Sequence, residues 1–180
     1  MDIQLTTLST DLHNRELFDC DNPQVNHFFR SVAKQSAKNN TVHTFALTDM
    51  DSDPSVVMGF YALTACIDPP PEGVNSFLKN KKAIPGVLLA QLGVDKKHQG
   101  HQLGAQLLLS AETHYLEKML PVTTSIGLFV DAMTVDLVPF YEKHGYKLVD
   151  PKDPNCTRLW KKNDDCLSIL SLLPTQAAAP

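Results

Sequence analysis

The chain has 180 residues and a mass of 19.9 kDa, with 43% hydrophobic and 20% charged side chains and a formal net charge of -4. That much apolar material supports a packed core and excludes a disordered or collagen-like chain. No apolar run reaches the ~18 residues of a membrane span, and the opening MDIQLTTLST lacks the charged-then-apolar pattern of a secretory signal, so a cytoplasmic protein without a membrane attachment is expected.

Asn22-Pro23 followed by QVNHFFRSVAKQSAK reads as the start of a helix, with Val25, Phe28, Phe29, Val32 and Ala33 as its apolar stripe. Arg30, Lys34 and Lys38 recur at i, i+4 and i+8 in a stretch with no acid from Asn22 to Thr48. They are expected on one helical face, either as ordinary solvated charge or as a contact for a polyanion. VHTFALTD reads as a strand, DMDSDPS as a turn, and SVVMGFYALTACI as a second strand that pairs with the first as an antiparallel hairpin. DPPPEGVNSFLKNKKAIPG is loop-like, with a short helix around Phe77 and a cluster of Lys79, Lys81 and Lys82. VLLAQLGVD is apolar on both faces, the pattern of a central strand.

After Asp95 a glycine-bearing turn feeds a helix with Leu103, Leu107, Leu108, Ala111, Tyr115 and Met119 at helical spacing, stopped by Pro121. TSIGLFVDA is another buried strand, TVDLVPFYEKHG a helix with a stop at Gly145, and YKLVD and CTRLWKK are two further strands. Cys20, Cys66, Cys156 and Cys166 are unevenly spaced with no CxxC pair, so neither a metal site nor a disulfide framework is expected. The expected architecture is α+β with a mixed central sheet flanked by helices: one domain over residues 1–162, then a tail over 163–180 that fits neither period.

A strand that opens into a helix through glycines suits an anion, because first-turn N–H groups lack internal partners and the helix dipole adds to them. Gln99-Gly100-His101-Gln102-Leu103-Gly104-Ala105 stands at that junction; it is neither a P-loop nor a GxGxxG fingerprint. Gly100 and Gly104 can equally be read as close-packing glycines. The segment resembles the Q/R-x-x-G-x-G/A loop of the GNAT (Gcn5-related) N-acetyltransferases, with Gln102 where that family has its middle glycine. The resemblance implies the GNAT fold, with the loop from Gln99 through Gly100, His101, Gln102, Leu103 and Gly104 to Ala105 cradling the diphosphate of acetyl-CoA. It also implies that the strand at Leu92, Gly93 and Val94 runs along pantetheine.

Pro139-Phe140-Tyr141-Glu142-Lys143-His144-Gly145-Tyr146 resembles the FYEKxGF segment of the same family, which makes Tyr141 the residue that protonates the departing CoA thiolate. A tyrosine with an ordinary pKa of about 10 is protonated at neutral pH and can donate, although in an apolar helix it can also be plain core. Phe18-Asp19-Cys20-Asp21-Asn22, Asn26-His27-Phe28-Phe29-Arg30 and Gly59-Phe60-Tyr61-Ala62-Leu63-Thr64-Ala65 resemble segments of the TacT/AtaT-like, tRNA-acetylating toxin subfamily. That resemblance spans roughly residues 3 to 162. It implies acetylation of the α-amino group of aminoacyl-tRNA and a ribbon-helix-helix antitoxin as partner. By charge, the Arg30, Lys34 and Lys38 face and the Lys79–Lys82 loop are the expected substrate contacts if tRNA binds, and sheet-edge pairing is expected to give a homodimer.

The acceptor chemistry is compatible, since freeing a neutral α-amine at pH 7 costs about 1–1.4 kcal/mol, against about 4.6 for a lysine. No strong general base is then needed, and His43, His98, His101 and His144 do not single one out. An acetyltransferase for a small amine or a protein N-terminus, and a non-catalytic CoA-binding protein, are the rival expectations. The sequence pI of about 5.9 and Gln91 at a strand position that often holds arginine in the subfamily weigh toward weaker RNA binding or a different acceptor, and Gln102 is the one hint of the non-catalytic reading.

Overall fold

The computed structural model describes residues 2–170, and the chain divides into two compact units. Among the described residues seven strands form a mixed sheet in the order β1-β2-β3-β4-β5-β7-β6; the sequence pattern predicts a mixed sheet and six of these strands.

The first unit runs to Thr64 and takes in Leu89–Ala111. It contains β1 (Ile3–Thr7), β2 (His43–Asp49), the first part of β3 (Val57–Asp68) and the last part of β4 (Ile84–Val94). β2 alternates between exposed and buried along its length and pairs antiparallel with β3, so the expected hairpin is present, with a bulge at Leu47/Thr48. β1, which the sequence pattern left unassigned, pairs antiparallel with β2 from Ile3↔Asp49 to Thr7↔Phe45.

The helix begins where expected. The Asn22 side chain accepts the amides of Gln24 and Val25 at 3.0 and 3.1 Å, and Pro23 occupies the first turn of α1 (Pro23–His27). A π-helical turn over Phe28–Val32 then leads into α2 (Ala33–Lys38). The wider turn shifts the phase of the stripe: Val25, Phe29 and Ala33 are buried, but Val32, expected in the core, is 37% exposed. Phe29 stacks on Phe60 at 4.3 Å between ring centres, with Phe18 at 4.8 and 5.2 Å from Phe29 and Phe60.

The second unit holds Ala65–Leu88 and the chain from Glu112 onward. Here α3 (Ser76–Lys79) lies in the proline-rich connection, β5 (Gly127–Asp131) and β6 (Lys147–Leu148) both pair antiparallel with β7 (Arg158–Lys162), and α5 (Val138–Lys143) ends at Gly145, whose φ is +86°. Val74, Phe129 and Trp160 form a buried cluster against which Leu78, Leu88 and Ile126 pack. The helix after the glycine turn, α4 (Leu103–His114), belongs through Ala111 to the first unit, where it buries Leu103, Leu107, Leu108 and Ala111, and the π-helical turn over Tyr115–Met119 that follows belongs to the second. The segment after Lys162 begins as a helix, α6 (Asn163–Leu170), with Cys166 buried; the remainder of the tail lies outside the described residues. Asn163 fixes its start, donating to the Ser125 carbonyl at 2.8 Å and standing 2.5 Å from the Tyr115 hydroxyl.

Candidate functional site

In the first unit the loop between β4 and α4 is built around Asp95, a buried carboxylate that accepts the amides of Lys97 at 3.0 Å and Asp19 at 2.9 Å. The Phe18-Asp19-Cys20 segment is thereby latched to the loop. Lys96 donates its amide to the Asp19 carbonyl at 2.8 Å and its ammonium to the Asp19 carboxylate at 2.7 Å. Asn26 donates to the same carboxylate at 2.8 Å and accepts the Cys20 amide at 2.9 Å. Lys96, followed by the Asp21 amide and Asn26, holds Asp19 well below the usual carboxylate range. Gln99 completes the latch, its amide donating to the carbonyls of Val94 at 3.0 Å and Cys20 at 3.2 Å.

Beyond the latch the backbone turns left-handed twice, at Gly100 (φ +79°) and at Gln102 (φ +61°). Gln102 therefore occupies a conformation that glycine adopts freely and that costs other residues roughly 1–2 kcal/mol. Its carbonyl accepts the amides of Ala105 and Gln106 at 3.1 and 3.2 Å, which starts α4. The amides of Leu103 and Gly104 fall among the first-turn N–H groups that have no partner inside their own helix. A side chain at Gly100 would meet no atom within 4 Å, and at Gly104 only Val94 Cγ2 at 4.0 Å. The close-packing reading of these two glycines is thus overturned: the space a side chain would take at either position is open. On β4, by contrast, Gly93 is close-packed: a Cβ there would come within 2.9 Å of Phe60 and Val25 and 3.2 Å of Phe18.

Leu92 and Val94 are half-buried on β4, Leu103 turns into the core, and His101 is exposed with Nδ1 2.9 Å from the Gln99 carbonyl. Lys34 and Lys38 are exposed on α2. Arg30 lies in the π-helical turn and uses its guanidinium on the Phe18 carbonyl, with Nε at 3.0 Å, so it is directed into its own unit.

In the second unit Tyr141 sits on α5 at 7% exposure, edge-to-face with Phe140 and Tyr146 at 5.0 and 5.8 Å. Burial, with a smaller contribution from the charge of Asp131, pushes its hydroxyl up to about 12. Asp131 is itself paired with Arg158, which also holds Asp68 at 2.6 Å. The turn after α5 is held by a group that sequence reasoning missed: Lys161 donates to the His144 carbonyl at 2.9 Å and to both oxygens of Glu112 at 3.0 and 3.1 Å, each side chain only 3% exposed. Strand alternation carried a signal for it, since Lys161 shares a face of β7 with buried Leu159. Among the described residues no cluster of His, Cys, Asp or Glu is placed to hold a metal ion, and no helix is long and apolar enough to cross a membrane.

Residues 70–155 match the family model of the acetyltransferase (GNAT) domain. Three solved structures of similar fold extend the likeness over nearly the whole chain. A tyrosine-to-phenylalanine mutant of KacT superposes with a TM-score of 0.82 at 20% identity, covering 94% of this chain and 99% of that one. AtaT complexed with acetyl-methionyl-tRNAfMet gives 0.80 at 24%, covering 95% and 99%. A tyrosine-to-phenylalanine mutant of the AtaT toxin, bound to the C-terminus of the antitoxin AtaR and acetyl-CoA, gives 0.78 at 22%, again covering 95% and 99%. The chain has the α+β GNAT acetyltransferase fold.

Proposed function

We propose that this GNAT-fold chain is an acetyl-CoA-dependent N-acetyltransferase that modifies the α-amino group of aminoacyl-tRNA and so blocks translation. The observation that carries the transferase reading is the open, left-handed loop at Gly100–Gln102, in a chain that also supplies a buried, protonated tyrosine on the helix where the family's proton donor is expected. Loop amides from Gly100 to Gly104 bind the diphosphate, with Ala105 closing the first turn of α4 behind them, and the backbone at Leu92 and Val94 pairs with pantetheine. Gln99 and the Asp19–Lys96 pair act one step back, fixing the loop.

The reaction then needs few groups. The neutral amine's lone pair attacks the thioester carbonyl carbon, an N–C bond forms, and the carbonyl pair moves onto oxygen. Collapse breaks the C–S bond, sulfur leaves with its electron pair, and the amine's proton passes to solvent. Tyr141 donates to the departing sulfur. A hydroxyl with a pKa of about 12 facing a thiolate whose acid has an ordinary value near 8.5 stabilises that charge as a hydrogen-bond donor without having to ionise.

The tRNA acceptor is supported by the likeness to AtaT in complex with an acetylated aminoacyl-tRNA, and an antitoxin partner by the likeness to AtaT bound to AtaR. On this reading the partner is a ribbon-helix-helix antitoxin, the protein works in the cytoplasm as a homodimer, and Lys34 and Lys38 contribute to the RNA contact.

Tyr141→Phe tests the transferase reading. Calorimetry should give an unchanged acetyl-CoA affinity while turnover falls by roughly 10²-fold or more. Full turnover in the variant would remove Tyr141 from the mechanism, and a wild-type protein that binds acetyl-CoA but acetylates no amine would make it a binding protein.

A further inference from the structure

The connection between β3 and β4 carries features that the transfer chemistry does not use. From Gly73 to Val94 there is no acidic residue, and Lys79, Lys81 and Lys82 follow closely on Phe77. The segment is anchored: Val74 is buried with Phe129 and Trp160, Leu78 packs on that cluster, and the Glu72 amide donates to the Val149 carbonyl at 3.2 Å. Asn75 caps α3, accepting the Leu78 amide at 3.0 Å. With Val74 and Leu78 turned inward, Phe77 is turned out at 70% exposure, and the Lys81 ammonium stands 4.6 Å from its ring centre.

An exposed ring on a held turn, flanked by cations, fits bases and phosphates together. A purely apolar protein partner would make no use of the lysines. Lys79 shares a concavity of about 260 Å³ with Glu72, Asp150 and Lys152, where the carboxylates offset its charge, so phosphate contact falls to Lys81 and Lys82. We propose that Phe77, Lys81 and Lys82 form a contact platform for single-stranded RNA, with a base stacked on the ring and phosphates on the two lysines. Assigning that strand to the unpaired 3′ end of tRNA rests on the aminoacyl-tRNA reading above; the stacking surface itself rests on the ring and its charges.

The test is fluorescence anisotropy of the full chain with a labelled RNA octamer ending in CCA. Phe77→Ala should weaken binding about tenfold and Phe77→Trp should retain it. Lys81→Gln with Lys82→Gln should lower the slope of log K against log salt by about 1.4. Acetyl-CoA affinity and the thermal melt, read on the same samples, should not change, which separates a lost contact from a lost fold. Equal RNA affinity for Phe77→Ala and wild type overturns the platform, even if the protein acetylates aminoacyl-tRNA. RNA binding that depends on Phe77 in a protein that transfers no acetyl group to charged tRNA supports the platform and overturns the proposed reaction.

Discussion

Tyr141 suits a donor role because burial raises its hydroxyl to about 12, so the protonated form persists throughout the range in which an α-amine changes charge. The sign of the pH dependence follows. In the proposed reaction activity requires the neutral amine, with an ordinary pKa near 7.7–8.0, and the protonated tyrosine; kcat/KM should rise tenfold per pH unit below about 7.5, level off above 8 and show no fall through pH 9. A descending limb below pH 9 would mean that a group other than Tyr141 donates to the departing sulfur. Gln102 is the other decisive residue. The sequence marks it as a departure from a glycine pattern, and the backbone gives the reason for that pattern, a left-handed φ of +61°. Gln102→Gly should therefore be neutral or stabilising by up to ~1 kcal/mol, whereas Gly100→Ala should cost about 1 kcal/mol. Urea unfolding measures both, and a destabilised Gln102→Gly would show that the glutamine side chain supports the loop.

Most helices and strands follow from periodicity, because β2, β4 and α4 carry strong apolar patterns over seven or more residues. The exceptions have physical causes. β1 lies at the end of the strand order and buries little, so IQLTT shows no clear pattern, and its pairing comes from β2. The π-helical turn at Phe28–Val32 depends on packing that periodicity does not encode, which is how Val32 and Arg30 left their expected faces. The Glu112–Lys161 pair joins residues 49 apart in sequence and braces the turn that follows α5. Removing one partner strands a buried charge, so Lys161→Met or Glu112→Leu alone should destabilise by roughly 3–5 kcal/mol, and the double replacement should recover most of the loss. Single variants as stable as wild type in urea would show that the pair is solvated. The Asp19 latch makes a milder case: Asp19→Ala should raise the KM for acetyl-CoA with little change in kcat, and an unaltered KM would mean that Gln99 and Asp95 hold the loop without it.

At the scale of the whole chain the net charge of -4 argues against a polyanionic substrate, and the distribution argues for one. Acids are missing from Asn22 to Thr48 and from Gly73 to Val94, the two stretches that present Lys34, Lys38, Lys81 and Lys82. Of the candidate site, the loop and Tyr141 were legible because each is a short local motif. The residues that brace them, Asp19, Asn26, Glu112 and Lys161, were not, because each acts through a partner distant in sequence. The proposed reaction transfers an acetyl group to charged tRNA. The most direct measurement is therefore transfer of label from acetyl-CoA to a mixed pool of aminoacylated tRNA, with deacylated tRNA and Tyr141→Phe as controls. Label should appear on the charged pool alone, be released when the aminoacyl ester is hydrolysed and be lost with the tyrosine. Label on neither pool, from a protein that acetylates small amines or protein N-termini, would contradict it.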